Sequence, residues 1–151
     1  MLHWYTEKEE LNDLYYLSIR LGVEKRAKEL GINQETYFMD ELPEALPGID
    51  GIIAIGKFSK AQIKSLTQFH STIVFVDYNP GLGNEDVIMA DLAKGVRDVL
   101  DYFLEKGHTN IGYIGGRECL QGETVPIDDK REMTFLSYMQ EKTCSGGKIC
   151  L

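Results

Sequence analysis

Residues 91–116, DLAKGVRDVLDYFLEKGHTNIGYIGG, read as a helix, a tight turn, a short strand and a glycine-rich exit. Leu92, Val96, Val99, Leu100 and Phe103 recur at spacings of three and four, which puts them on one helix face. Asp91 stands at the N-cap position, and Lys106 in the last turn complements the helix dipole. Gly107 follows where a left-handed C-terminal cap forms. Residues 111–114, IGYI, have the apolar character of a strand, and Gly115-Gly116 opens a loop at its carboxyl end. In open α/β sheets that end faces the ligand cleft.

Working outward, the same alternation of helix and strand continues. Residues 2–6 and 36–39 are strand candidates, and residues 7–12 read as a polar loop. Asp13 caps a helix running to about Leu30, with Tyr16, Ile19, Val23, Ala27 and Leu30 as its apolar stripe. Glu24 with Lys28, and Lys25 with Glu29, are candidate charge pairs on its wet side. Residues 40–50, DELPEALPGID, are short and proline-rich for a parallel crossover, which usually carries a helix, so either the connection is unusually compact or the second strand is shorter than residues 36–39. Residues 51–56, GIIAIG, form a clear buried strand. Ser59 and Gln62 then open a helix as a capping box, with Ile63 and Leu66 inward. Residues 72–76 are another buried strand, ending at Asp77. A turn-rich loop, YNPGLGNE, and a short strand at 87–89 lead into Asp91. Residues 128–141 read as a helix with Met133, Leu136 and Met139 or Gln140 inward. The whole pattern is α/β with a parallel sheet.

Composition narrows the function. The 151 residues are 43% hydrophobic and 26% charged, the balance of a globular protein. Asp and Glu outnumber Lys and Arg by 24 to 16, a formal charge of -8, whereas a nucleic-acid footprint is basic. The purified chain is therefore expected to show no sequence-selective DNA binding in a gel-shift at physiological salt; a selective shift would overturn this. No apolar run is long enough to span a membrane and no signal peptide opens the chain, so a cytoplasmic location is expected. Cys119, Cys144 and Cys150 have no C-x-x-C spacing and read as free thiols. A strand candidate starting almost at Met1, and a tail, TCSGGKICL, that completes no element, suggest a piece of a longer fold.

Few residues look chemical. Asp77 and Asp91 lie at or just past strand carboxyl ends, where two carboxylates can accept hydrogen bonds from hydroxyls, hold magnesium or do acid–base work. Each also fits a plain structural use, Asp91 as a helix cap and Asp77 as a turn residue. Tyr15 and Tyr16 open a helix at the same end and suit either a sugar ring or the core. Arg131, in the first turn of the last helix, carries a fork suited to hydroxyls or a carboxylate. No glycine pattern forms a phosphate loop, and no Ser, His and Asp set suggests a nucleophile. His3, His70 and His108 are scattered and read as surface or structural. No catalytic residue, metal ligand or cofactor is implied. A small α/β enzyme using Asp77 and Asp91 with a metal, and a periplasmic sugar carrier, remain the alternatives from other classes.

Asp91, Gly95, Gly107-His108, Ile111, Ile114 and Gly115-Gly116 together resemble the lactose/galactose repressor (LacI/GalR) family of bacterial transcription regulators. Tyr15-Tyr16, Asp50-Gly51-Ile52-Ile53 and Val74-Phe75-Val76-Asp77 fall in the same order. Trp4 to Glu7, Ile19 to Gly22, Gly56 to Phe58 and Gly115 to Glu118 look closest to members controlling β-galactosidase operons. The likeness covers nearly all of residues 3–142.

The resemblance implies a type I periplasmic-binding-protein-like α/β fold. Residues 1–89 would form most of a first effector-binding subdomain, 90–142 the start of a second, and 143–151 an unmatched tail. It implies a non-enzymatic, sugar-responsive regulator with a galactoside-like effector and homodimers in the full-length protein. Operator DNA would be bound only through an N-terminal helix-turn-helix outside this stretch. It assigns ligand contacts to Tyr15, Tyr16, Asp77, Asp91 and Arg131, and, from loop position, to Lys57 and Arg117. Leu14 departs from the proline usual at the first helical position, and residues 40–50 are shorter than the family's helical connection.

Overall fold

The computed structural model describes residues 1–43, 48–69, 72–120 and 122–144; the side chains of Phe69, Thr143 and Cys144 lie outside the description. His70 and Cys150 also lie outside it. The chain divides into two compact units, Met1–Met89 and a second that begins at Ala90.

The first unit is a five-stranded, wholly parallel sheet in the order β2-β1-β3-β4-β5. The strands are β1 (Leu2–His3), β2 (Tyr37–Phe38), β3 (Ile52–Ile55), β4 (Ile73–Val76) and β5 (Asp86–Ile88). Between them lie α1 (Glu7–Glu10), α2 (Leu14–Glu29) and α3 (Lys60–Phe69). A single 3-10 turn, Met39–Glu41, follows β2. Part of the proline-rich connection, residues 44–47, lies outside the described residues.

Alternation along β3 builds two cores. Ile52 and Ala54 pack with Leu2, Phe58, Phe75 and the α3 residues Ile63 and Leu66. Ile55, with Ile53 beside it, packs with Tyr5, Tyr16 and Ile19 from α2. A strand whose two faces are both covered reads as a continuous apolar run, which is why IIAI was legible. The α3 capping box forms as the sequence predicts: Gln62 N–H donates to Ser59 Oγ at 3.4 Å and Ser59 N–H to Gln62 Oε1 at 2.8 Å.

Three expectations for this unit are corrected. Residues 7–12 are not simply a loop, because Thr6 and Glu9 form a reciprocal capping box that starts α1. The charge pairs on α2 also differ. Arg20 takes Glu24 at 2.8 Å and Arg26 takes Glu29 at 3.0 Å. Leu30 caps the helix and is exposed rather than on the apolar stripe.

In the second unit, α4 (Leu92–Glu105) packs against α5 (Lys130–Cys144). Leu100, Phe135, Tyr138 and Met139 make its core, and Tyr138 donates to Asp101. Gly107 takes φ 82°, the left-handed cap expected of it.

Two readings fail here. Residues 111–114 form no strand, because among the described residues none pairs with their backbone; Ile114 is fully exposed. Met133 and Leu136 face outward, and Phe135, Tyr138 and Met139 take the inner face of α5. Met139 is inward as expected, and Phe135 and Tyr138 take the places expected of Met133 and Leu136 on the side that meets Leu100 and Tyr113.

Candidate effector site

The parallel register sets which residues share the carboxyl rim of the sheet. His3 pairs with Ile55, and Ile55 with Val76. Trp4, Gly56 and Asp77 therefore stand in one row, each one residue past the last pair. The backbone continues that row, with Trp4 N–H on Ile55 O, Gly56 N–H on Val76 O and Asp77 N–H on Ile88 O. Strand order reverses direction between β1 and β3. The crevice beyond such a reversal is where open parallel sheets bind ligands.

Asp77 is the centre of this rim. Its φ is 65°, a left-handed conformation that Asp tolerates better than most residues. The Tyr15 hydroxyl donates to Asp77 Oδ1 and the Tyr16 hydroxyl to Oδ2, each at 2.8 Å. Both tyrosines are held by the N-terminus of α2, where Asp13 accepts from their backbone N–H groups. Tyr16 is buried and half of Tyr15 is exposed, so the pair runs from the core to the surface. Their rings meet edge to face, 5.1 Å apart.

Trp4 and Gly56 complete the row. Gly56 has φ 101°, and a Cβ built there would lie 1.7 Å from Trp4 Cδ1. Glycine is thus required twice, for its backbone and for the indole lying against it. Trp4 stands 6.1 Å from the Tyr16 ring. Sequence reasoning missed both residues as part of the rim. The available signal was positional: the chain's one tryptophan directly follows β1, and a glycine directly follows β3. Lys57, next along, is half-buried.

Asp91 and Arg131 come together separately, within the second unit. Both line a cavity of about 360 Å³ whose other walls are apolar, among them Val96, Phe103, Ile111 and Phe135. Asp91 Oδ1 also caps α4 by accepting from Lys94 N–H at 2.9 Å. Arg131 forks onto Asp129, with Nη2 to Oδ2 at 2.7 Å. Arg117 is exposed in the loop after Gly116 and is not among the residues lining that cavity. Among the described residues, no three His, Cys, Asp or Glu side chains gather as a metal-ligating cluster, and no helix is long and apolar enough to cross a membrane. Cys119 is free and exposed.

No family model and no solved structure matches the chain. Curated relatives do. The HTH-type transcriptional regulator GanR of Bacillus subtilis (strain 168) is 39% identical over 142 residues, which is 93% of this chain and 43% of GanR. The HTH-type transcriptional regulator GalR of Streptococcus thermophilus is 36% identical over 143 residues, 94% of this chain and 43% of that protein. GalR of Lacticaseibacillus casei is 30% identical over 136 residues, 89% of this chain and 41% of that protein. The chain spans less than half the length of these relatives. Over nearly all of its own length, it is a homologue of the LacI/GalR family of HTH-type transcriptional regulators.

Proposed function

We propose that this chain is sugar-sensing core of a LacI/GalR-type transcription regulator, non-enzymatic and cytoplasmic, with a periplasmic-binding-protein-like fold. Residues 1–89 serve as the first effector-binding subdomain and the segment from residue 90 begins the second. The observation that carries this reading is the meeting of two tyrosine hydroxyls on the two oxygens of Asp77, on the carboxyl rim of a parallel sheet, one strand from the reversal of strand order. A carboxylate oxygen accepts more than one hydrogen bond, so Asp77 can take ligand hydroxyls while the tyrosines hold its orientation. Such an acceptor suits an uncharged polyol, and its negative charge disfavours an anion. Within the second unit, Asp91 and Arg131 offer an acceptor and a donor fork of their own; Lys57 follows Gly56 on the rim of the first unit, and Arg117 lies in the loop after Gly116.

A galactoside would then act by differential affinity. In the full-length homodimer it would favour one arrangement of the subdomains over another and so shift the population that binds operator DNA.

The test is calorimetric titration with methyl β-D-galactopyranoside. Arg131→Ala should weaken binding roughly ten- to hundred-fold, because a charge-assisted bond to a ligand hydroxyl is worth about 1.5–3 kcal/mol. The existing pair with Asp129 is solvated, with the Arg131 side chain 55% exposed, and holds Arg131 only weakly. Lys130→Ala should leave affinity within about two-fold. Equal affinities for the two variants would remove Arg131 from the site.

A further inference from the structure

We propose that Trp4, seated on Gly56, is the ring against which the apolar C–H face of the sugar packs. This rests on the effector-site reading above and gives a ligand contact to a residue to which the family resemblance assigned none. Four observations carry it. Trp4 occupies the rim row with Gly56 and Asp77, so its backbone is two strands from the carboxylate that would take the hydroxyls. That row lies at the reversal of strand order, the general ligand position of such sheets. The indole has a dedicated seat, since any side chain at position 56 would collide with it at 1.7 Å.

The fourth observation is a polar one. Trp4 Nε1 and the Tyr5 hydroxyl are enclosed and have no hydrogen-bond partner among the described residues. Tyr5 is only 9% exposed, and its ring lies 5.2 Å from Trp4. Enclosing a donor without a partner costs about 1–3 kcal/mol, so packing alone is a poor reason to place two of them side by side. Phenylalanine would have supplied an aromatic ring there with no donor to enclose. A pyranose offers a polar edge and an apolar face; an aromatic wall beside a carboxylate matches both at once.

Trp4 is the chain's sole tryptophan, so its emission reports on this position alone. The experiment is parallel titration of the intact chain with methyl β-D-galactopyranoside, followed by calorimetry and by tryptophan fluorescence. The expected result is a saturable emission change with the calorimetric midpoint. Trp4→Leu should lose at least ten-fold in affinity, and Trp4→Tyr should recover most of it. Calorimetric binding with no change in Trp4 emission overturns the assignment and leaves the effector-site reading standing; it needs no variant to fold. Equal binding by Trp4→Leu does the same. No heat at any galactoside concentration overturns the effector-site reading and the Trp4 assignment with it.

Discussion

Backbone amides of residues 52–55 are expected to exchange with deuterium at least a thousand-fold more slowly than those of residues 111–114. β3 is central: it pairs with β1 on one side and β4 on the other, and Ala54 and Ile55 are wholly buried. Its hydrogen bonds can open only with the unit as a whole. Even at ~5 kcal/mol, the low end of domain stability, that slows exchange more than a thousand-fold. Residues 111–114 have no paired strand among the described residues, and Ile114 is fully exposed. Ile111 and Tyr113 pack on Leu100 and Phe135, which holds the segment in place without protecting its amides. Val99 is also 53% exposed beside the same cavity, so part of the apolar surface of this unit faces solvent. Exchange followed by mass spectrometry or NMR measures the ratio directly. Strong and equal protection in both segments would mean that residues 111–114 are paired in solution and that the second unit is a completed sheet.

That contrast also explains which elements were legible from residues alone. A helix closes its hydrogen bonds within itself, so Asp91, the apolar stripe and Gly107 were enough to place α4. A strand is completed by its neighbours. The apolar run IIAI has neighbours on both sides and IGYI has none among the described residues, though the two look alike in sequence. α1 escaped notice for another reason: four residues are too few to show a period, and only the Thr6–Glu9 capping box marks it. Met133 and Leu136 misled because a long helix with scattered apolar residues offers two plausible inner faces, and only the position of α4 chooses between them.

The rim was legible to a different degree. Asp77 and the tyrosines are 61 and 62 residues apart, and no spacing rule connects them. Family resemblance drew attention to them; the parallel register is what puts them on one edge. Trp4 required that register as well, because its neighbours on the rim lie on strands distant in sequence.

The largest single-residue loss of stability in the first unit is expected from Glu10→Ala. Glu10 is fully buried and receives Arg20 Nε at 2.9 Å and Arg20 Nη2 at 2.8 Å. Arg20 then reaches Glu24 on the next turn, and His3 Nδ1 lies 3.5 Å from Glu10. The carboxylate therefore ties α1 and α2 to the buried end of β1. Removing it leaves the guanidinium with one partly exposed partner beside a buried imidazole. Breaking a buried pair from one side costs about 3–5 kcal/mol. With urea slopes of about 1–3 kcal/mol per molar, the midpoint should fall by at least roughly 1 M, read from Trp4 emission, which reports on this unit. Glu10→Gln keeps the shape and one acceptor and should fall less. The same cluster sets a pH dependence. Burial, only partly offset by Glu10, holds the His3 pKa below the usual histidine value. As pH falls through about 6.5 the unfolded chain binds a proton at His3 that the folded unit refuses, so stability declines with acidification. His3→Leu should flatten that slope without reversing it. A Glu10→Ala midpoint within 0.2 M of the parent, where 0.2 M corresponds to roughly 0.2–0.6 kcal/mol on those slopes, would show that the pair does not anchor the first unit.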